Sequence, residues 1–132
     1  MDIETIREYC LGKDAAYECF PFDEDNLVFK VVDRMFLLIN LNTPDRVSMK
    51  CDPDRALELR DRYTGIVGAY HFNKKYWNQV FLMSDVPDRL ILELVDHSYE
   101  EVVKKFTRRQ REALAEACKN RIDKRYNPQI RN

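Results

Sequence analysis

Between Ala69 and Leu82 the chain reads Ala-Tyr-His-Phe-Asn-Lys-Lys-Tyr-Trp-Asn-Gln-Val-Phe-Leu. One short segment therefore holds the single tryptophan, Trp77, one of the two histidines, His71, two asparagines, Asn73 and Asn78, and the pair Lys74-Lys75. It is too polar for a core strand and too aromatic for an ordinary loop, as expected of a contact surface. Lysines of this kind neutralise phosphates, Trp77, Tyr76 or His71 can stack on bases, and Asn73 or Asn78 can hydrogen-bond to base edges or phosphates. The competing reading is a solvated turn with Trp77 anchoring a strand in the core. For the tryptophan that is the expected role, because large aromatics mostly pack. Asn73 and Lys74 stay open between the two readings, since loops carry binding residues disproportionately.

Other candidate chemistry is weaker. Neither His71 nor His97 has a serine, cysteine or carboxylate partner at a recognisable catalytic spacing, and His97 is expected to be a satisfied structural residue inside a helix. Cys10, Cys19, Cys51 and Cys118 show no C-x-x-C spacing and no clustering with histidine, so zinc signatures are absent. Cys10 and Cys51 fall at apolar positions, which suits buried thiols in a reducing compartment, the cytoplasm. No phosphate-binding glycine loop or paired catalytic carboxylates occur. The expectation is a non-enzymatic binding domain with no catalytic residues, no metal ligands and no cofactor.

The elements that must position the segment are legible from pattern. Asp2 to Leu11 reads as a helix with Asp2 at its N-cap, Ile3, Ile6 and Cys10 on one face, and Gly12 at the C′ position. Strands are expected at Leu27–Val32 and Met35–Leu41 around the connection Asp33-Arg34, with a longer loop as the alternative because arginine disfavours positive φ. Arg46 to Cys51 alternates, with Val47, Met49 and Cys51 toward the core and Arg46, Ser48 and Lys50 toward water. Lys50 could form a basic strip with Lys30 beside the Lys74 loop, or simply belong to an ordinary polar sheet face.

Asp52-Pro53 opens a helix through about Arg62, with Ala56, Leu57 and the Arg60 stem as its apolar stripe. Gly65 and Gly68 mark irregular backbone, and Trp77 to Leu82 reads as a strand. A helix from Pro87 to about Phe106 follows, and Thr107 with Gln110 forms a capping box that starts another to about Asn120. Residues 1–120 thus make one α+β domain, a two-layer sandwich with helices on one face of an antiparallel sheet. Residues 121–132 read as a basic, frayed tail.

With 132 residues, 45% hydrophobic and 34% charged, the chain can bury a core without disulfide staples. No apolar run reaches membrane-span length, and the N-terminus lacks the pattern of a secretory signal. Net charge is −1, so a global basic field is missing and any polyanion must meet a local patch. The C-terminal stretch 107–132 is the basic part, with 8 Lys/Arg against 3 Asp/Glu.

Phe20-Pro21-Phe22, Phe29-Lys30-Val31, Lys50-Cys51-Asp52-Pro53, Tyr70 to Asn78 and Asp96-His97-Ser98-Tyr99 together resemble the MmcQ/YjbR family, in order from about Ile3 to Arg111. The resemblance implies a CyaY-like, frataxin-like fold and DNA binding through a double-wing arrangement of strands and loops. Phe72 and Tyr76 stand where the family block commonly has methionine and histidine. The frataxin likeness also raises metal binding at Asp23-Glu24-Asp25, but a solvated turn is the expected role of that run. The reading is a monomeric nucleic-acid binder, DNA in the first place, contacting phosphates through Lys50, His71, Asn73, Lys74, Lys75, Trp77 and Asn78. A small anionic ligand or peptide held by His71, Asn73 and Lys74, or a protein partner at a sheet edge, is the alternative.

Overall fold

The computed structural model describes residues 1–69 and 71–126. Along it run α1 (Ile3–Leu11), β1 (Ala16–Cys19), β2 (Asn26–Val31), β3 (Arg34–Asn40), β4 (Arg46–Lys50), α2 (Pro53–Arg62), β5 (Ile66–Gly68), β6 (Trp77–Phe81), α3 (Asp88–Val103) and α4 (Arg108–Tyr126). The strands form one antiparallel sheet in the order β1-β2-β3-β4-β6-β5. Helices α1, α2 and α3 pack against one face of it, giving the α+β arrangement expected from the pattern.

Alternation decides which side chains enter the core. From β2 to β4, Leu27, Phe29, Val31, Leu37, Ile39, Val47 and Met49 turn toward the helices and meet Ile6, Cys10, Ile91, Leu94 and Val95. Burying each large apolar side chain contributes about 1.5–3 kcal/mol, so this face dominates the stability. The intervening residues, Asn26, Leu38, Asn40, Arg46, Ser48 and Lys50, line the other face.

Caps fix where the helices begin. Asp2 Oδ1 accepts from the Thr5 N–H (2.9 Å) and hydroxyl (2.8 Å) at α1. At α2, Asp52 accepts from the Arg55 N–H (3.1 Å) with Pro53 at the first helical position. The capping box at α4 is complete: Gln110 N–H donates to Thr107 Oγ1 (3.2 Å) and Thr107 N–H to Gln110 Oε1 (2.9 Å). The Gln110 Nε2 also donates to Asp33 (2.8 Å), tying α4 to the β2–β3 turn.

Several expectations are corrected. Gly12 is right-handed at φ −74, and the left-handed residue after α1 is Ala15 at φ 60. The two central residues of the β2–β3 turn are Val32 and Asp33, since Val31 pairs with Arg34, and Val32 carries the positive φ of 58. A bulge between Phe29 and Lys30 supplies the one-residue shift. Leu57 is exposed and Leu59 takes its place in the α2 stripe. Between Gly65 and Gly68 the backbone is a strand, β5, paired to β6. The Asp85 carboxylate accepts from the Thr64 and Gly65 amides (2.8 Å each) at its entry, where a Cβ on Gly65 would lie 2.0 Å from Ser84 Oγ. Helix α4 continues past Asn120 to Tyr126; Tyr70 and residues 127–132, including Arg131 of the basic tail, lie outside the described residues.

Candidate functional site

The outer face of the sheet carries two adjoining features, a groove and a cluster of lysines. Both are built by the β4–β6 register, which sets Arg46 opposite Phe81, Ser48 opposite Gln79 and Lys50 opposite Trp77. Ser98, buried on α3, lies within hydrogen-bond distance of the Lys50 carbonyl (2.7 Å) and the Leu94 carbonyl (2.8 Å), so the end of β4 is clamped to the helix behind it. His97 on the same helix accepts from the Asp52 N–H at Nε2 (3.1 Å), fixing the exit of β4 into α2. That is the structural role expected of it. Burial, with Arg55 nearby, holds its pKa below the ordinary value of 6.5, against the opposing pull of Glu101 and Asp52.

At the end of β4 three lysines gather on one ring. The ammonium groups of Lys105, Lys50 and Lys75 lie 4.9, 5.2 and 5.5 Å from the centroid of Tyr76. Lys50 also lies 5.5 Å from the Trp77 ring. Cation–π attraction to the ring faces holds such groups in place, but does not cancel their mutual repulsion. Burial, with the charges of Lys105 and Arg34, pushes the Lys50 pKa below the lysine range, and Glu101 pulls the other way. Glu101 is itself engaged by Lys104, whose pKa it raises.

The groove lies beside this cluster, about 510 Å³ in volume, with Asn26, Asn40, Ser48, Gln79, His71 and Phe72 among its walls. Phe72 stacks on Trp77 at 4.6 Å between centroids and 19° between planes. Trp77 is only 6% exposed, so the packing role expected for it is the one its burial describes, and Phe72 presents the aromatic surface instead.

The seven residues nominated from the sequence do not form one surface. Lys50 and Lys75 join the cluster, and His71 lines the groove. Asn73 bends the loop, its Oδ1 accepting from the Lys75 N–H (3.0 Å) and its carbonyl from the Tyr76 N–H (3.0 Å). The Lys74 stem packs over Gly68, whose Cβ would lie 3.2 Å from Lys74 Cγ, while its carbonyl accepts from Arg60. Asn78 is buried at 2% exposure; it accepts from Arg60 Nε (2.7 Å) and donates to the Ala56 carbonyl (3.3 Å), pinning α2 to β6. It does not face the surface. Lys30 sits on β2, two strands away from the end of β4 where the lysines gather.

Asp23 of the acidic run accepts from the amides of Asp25 (2.9 Å) and Asn26 (2.8 Å), an Asx turn leading into β2. Burial pushes the Cys10 and Cys51 thiols up to about 12 and about 11, so neither is a thiolate near neutrality. Tyr76 as a hub, Lys105 and Gln79 are the additions. The alternation of β4 signals the face that Gln79 shares, whereas Lys105 reaches Tyr76 only through the docking of α3.

The sequence matches the YjbR family over residues 11–101. It is 30% identical over 117 residues to the Escherichia coli K12 protein YjbR, described as uncharacterized, covering 88% of this chain and 99% of that one. A solved Deinococcus radiodurans protein, DR2400, with the domain DUF419, is 40% identical and superimposes with a TM-score of 0.79 over 86% of this chain and 87% of that one. A Pseudomonas syringae structure, 23% identical with a TM-score of 0.63 over 74% of this chain and 96% of that one, shares the fold. With a match across most of its length and a sheet and helices superimposable on solved relatives, this chain belongs to the YjbR family.

Proposed function

We propose that the protein binds nucleic acid, DNA in the first place, by placing backbone phosphates on Lys50, Lys75 and Lys105. The observation that carries this is the convergence of three ammonium groups within 5.5 Å of the Tyr76 centroid. One lysine would satisfy the ring. Two more raise the local potential, and Glu101, the carboxylate that acts on Lys50, is already paired with Lys104, an arrangement suited to an arriving polyanion. The net charge of −1 makes this a local attraction rather than a property of the whole surface. Of His71, Asn73 and Lys74, the trio a compact anionic ligand would use, only His71 lines the groove.

The test is fluorescence anisotropy of labelled DNA across a salt series, comparing the protein with Lys50→Met/Lys75→Ala/Lys105→Ala. Each phosphate contact contributes about 0.7–0.9 to the slope of log K against log salt, so the triple variant should lose about 2–3 of slope. Lys74→Ala should lose at most about 1. An unchanged slope in the triple variant, or no binding at low salt, rejects the proposal.

A further inference from the structure

The groove beside the lysines has a chemistry of its own. Ser48 and Gln79 face each other across β4 and β6, and neither the hydroxyl nor the amide has a hydrogen-bond partner among the described residues. Asn40 uses its Oδ1 for the Asn42 N–H (2.8 Å), and Asn26 uses its Nδ2 for Asp23 (2.9 Å). One amide therefore offers an NH₂ and the other a carbonyl oxygen. Phe22, just before β2, is 63% exposed, and Phe72, just before β6, is backed by Trp77. Arg46 is forked onto Asp45 (2.8 and 3.1 Å) and lies 4.7 Å from the Phe81 centroid, so its guanidinium is already engaged.

Aromatic walls over a floor of donors and acceptors, with its one arginine already paired to Asp45, fit a planar polar heterocycle better than an anion. A volume of about 510 Å³ has room for a base with its sugar. Ser48 and Lys50 lie two residues apart on one face of β4, about 7 Å, which sets the groove next to the phosphate contacts. In a duplex the pairing edges are covered and the faces stacked, so a paired base cannot enter. We infer that the groove takes one unpaired base of a single-stranded nucleic acid whose phosphates lie on Lys50, Lys75 and Lys105. The inference rests on the nucleic-acid reading and narrows it to single strands.

Three labelled DNAs of equal length separate the two ideas: a single strand, its duplex, and a single strand carrying abasic sites. The protein should bind the single strand about tenfold more tightly than either of the others, the range expected for one stacked, recognised base. Gln79→Leu, which keeps volume and removes the amide, should shrink that preference severalfold while leaving the salt slope unchanged. Equal affinity for all three DNAs with a normal salt slope would overturn the unpaired base and leave phosphate binding standing. Failure to bind any of them at low salt would overturn both. Retained preference in both Gln79→Leu and Phe72→Leu, each confirmed folded by circular dichroism, would place the base elsewhere and reject the groove.

Discussion

The two faces of the sheet use their polar residues in opposite ways. On the helix-covered face three polar side chains are fastenings: Ser98 holds the Lys50 carbonyl, His97 holds the Asp52 amide, and Asn78 joins Arg60 to Ala56. On the outer face Ser48 and Gln79 make no such bonds among the described residues, and three lysines share one tyrosine. A folded chain gains little by leaving polar groups unspent next to exposed aromatics. The contrast separates residues kept for the fold from residues available to a ligand.

Truncation of one aromatic on each face tests that contrast most severely. Phe29 is fully buried, and Phe29→Ala should cost about 3–5 kcal/mol in urea unfolding through lost burial and the cavity left behind. Phe22→Ala should stay within about 0.5 kcal/mol. A cost for Phe22→Ala approaching that of Phe29→Ala would make the outer face a second core and remove the distinction.

A smaller effect comes from the histidine fastening. His97 accepts a hydrogen bond at Nε2, which requires the neutral ring, and burial lowers its pKa from 6.5. Between the lowered folded value and 6.5 the unfolded chain binds more protons than the folded one. The contribution of His97 is therefore intact above pH 6.5 and is lost as pH falls through that window. His97→Ala should cost about 1–3 kcal/mol at neutral pH by leaving the Asp52 amide unpaired. His97→Gln, whose Oε1 can accept the same N–H, should keep more stability and flatten its decline below pH 6.5. A decline unchanged in His97→Gln would assign the acid sensitivity to another group.

How much of this was legible in the residues follows from the range of each interaction. The caps at Asp2, Asp52 and Thr107 act within three residues, and the alternation of β4 is local, so all were readable. Strand β5 was hidden because its glycine flanks suggest irregular backbone, while its pairing with β6 and its Asp85 anchor are distant in sequence. Asn78 misled for a related reason. Its neighbours are surface-like, but Arg60 and Ala56 arrive on α2 and draw it inward. Lys50 and Lys75 were accessible to sequence reasoning as cations near aromatics; their union with Lys105 depends on where α3 stops.

The smallest predicted effect distinguishes a site from a decoration. Lys50 is half-buried, and both burial and the charges of Lys105 and Arg34 disfavour its ammonium. A lysine whose folded pKa is lowered holds its proton at a cost to the fold below the ordinary pKa of 10.5. Lys50→Met keeps the length of the stem and removes the charge. It should therefore raise stability slightly, by about 0.5 kcal/mol or less, with the gain shrinking as salt screens the cluster. The same variant should weaken DNA binding and reduce the salt slope by about 1. A loss of stability with DNA binding unchanged would make Lys50 a fastening like those on the inner face. A gain in stability with a loss of binding would mean that the charge is kept against the interest of the fold, which is the behaviour of a residue retained for its ligand.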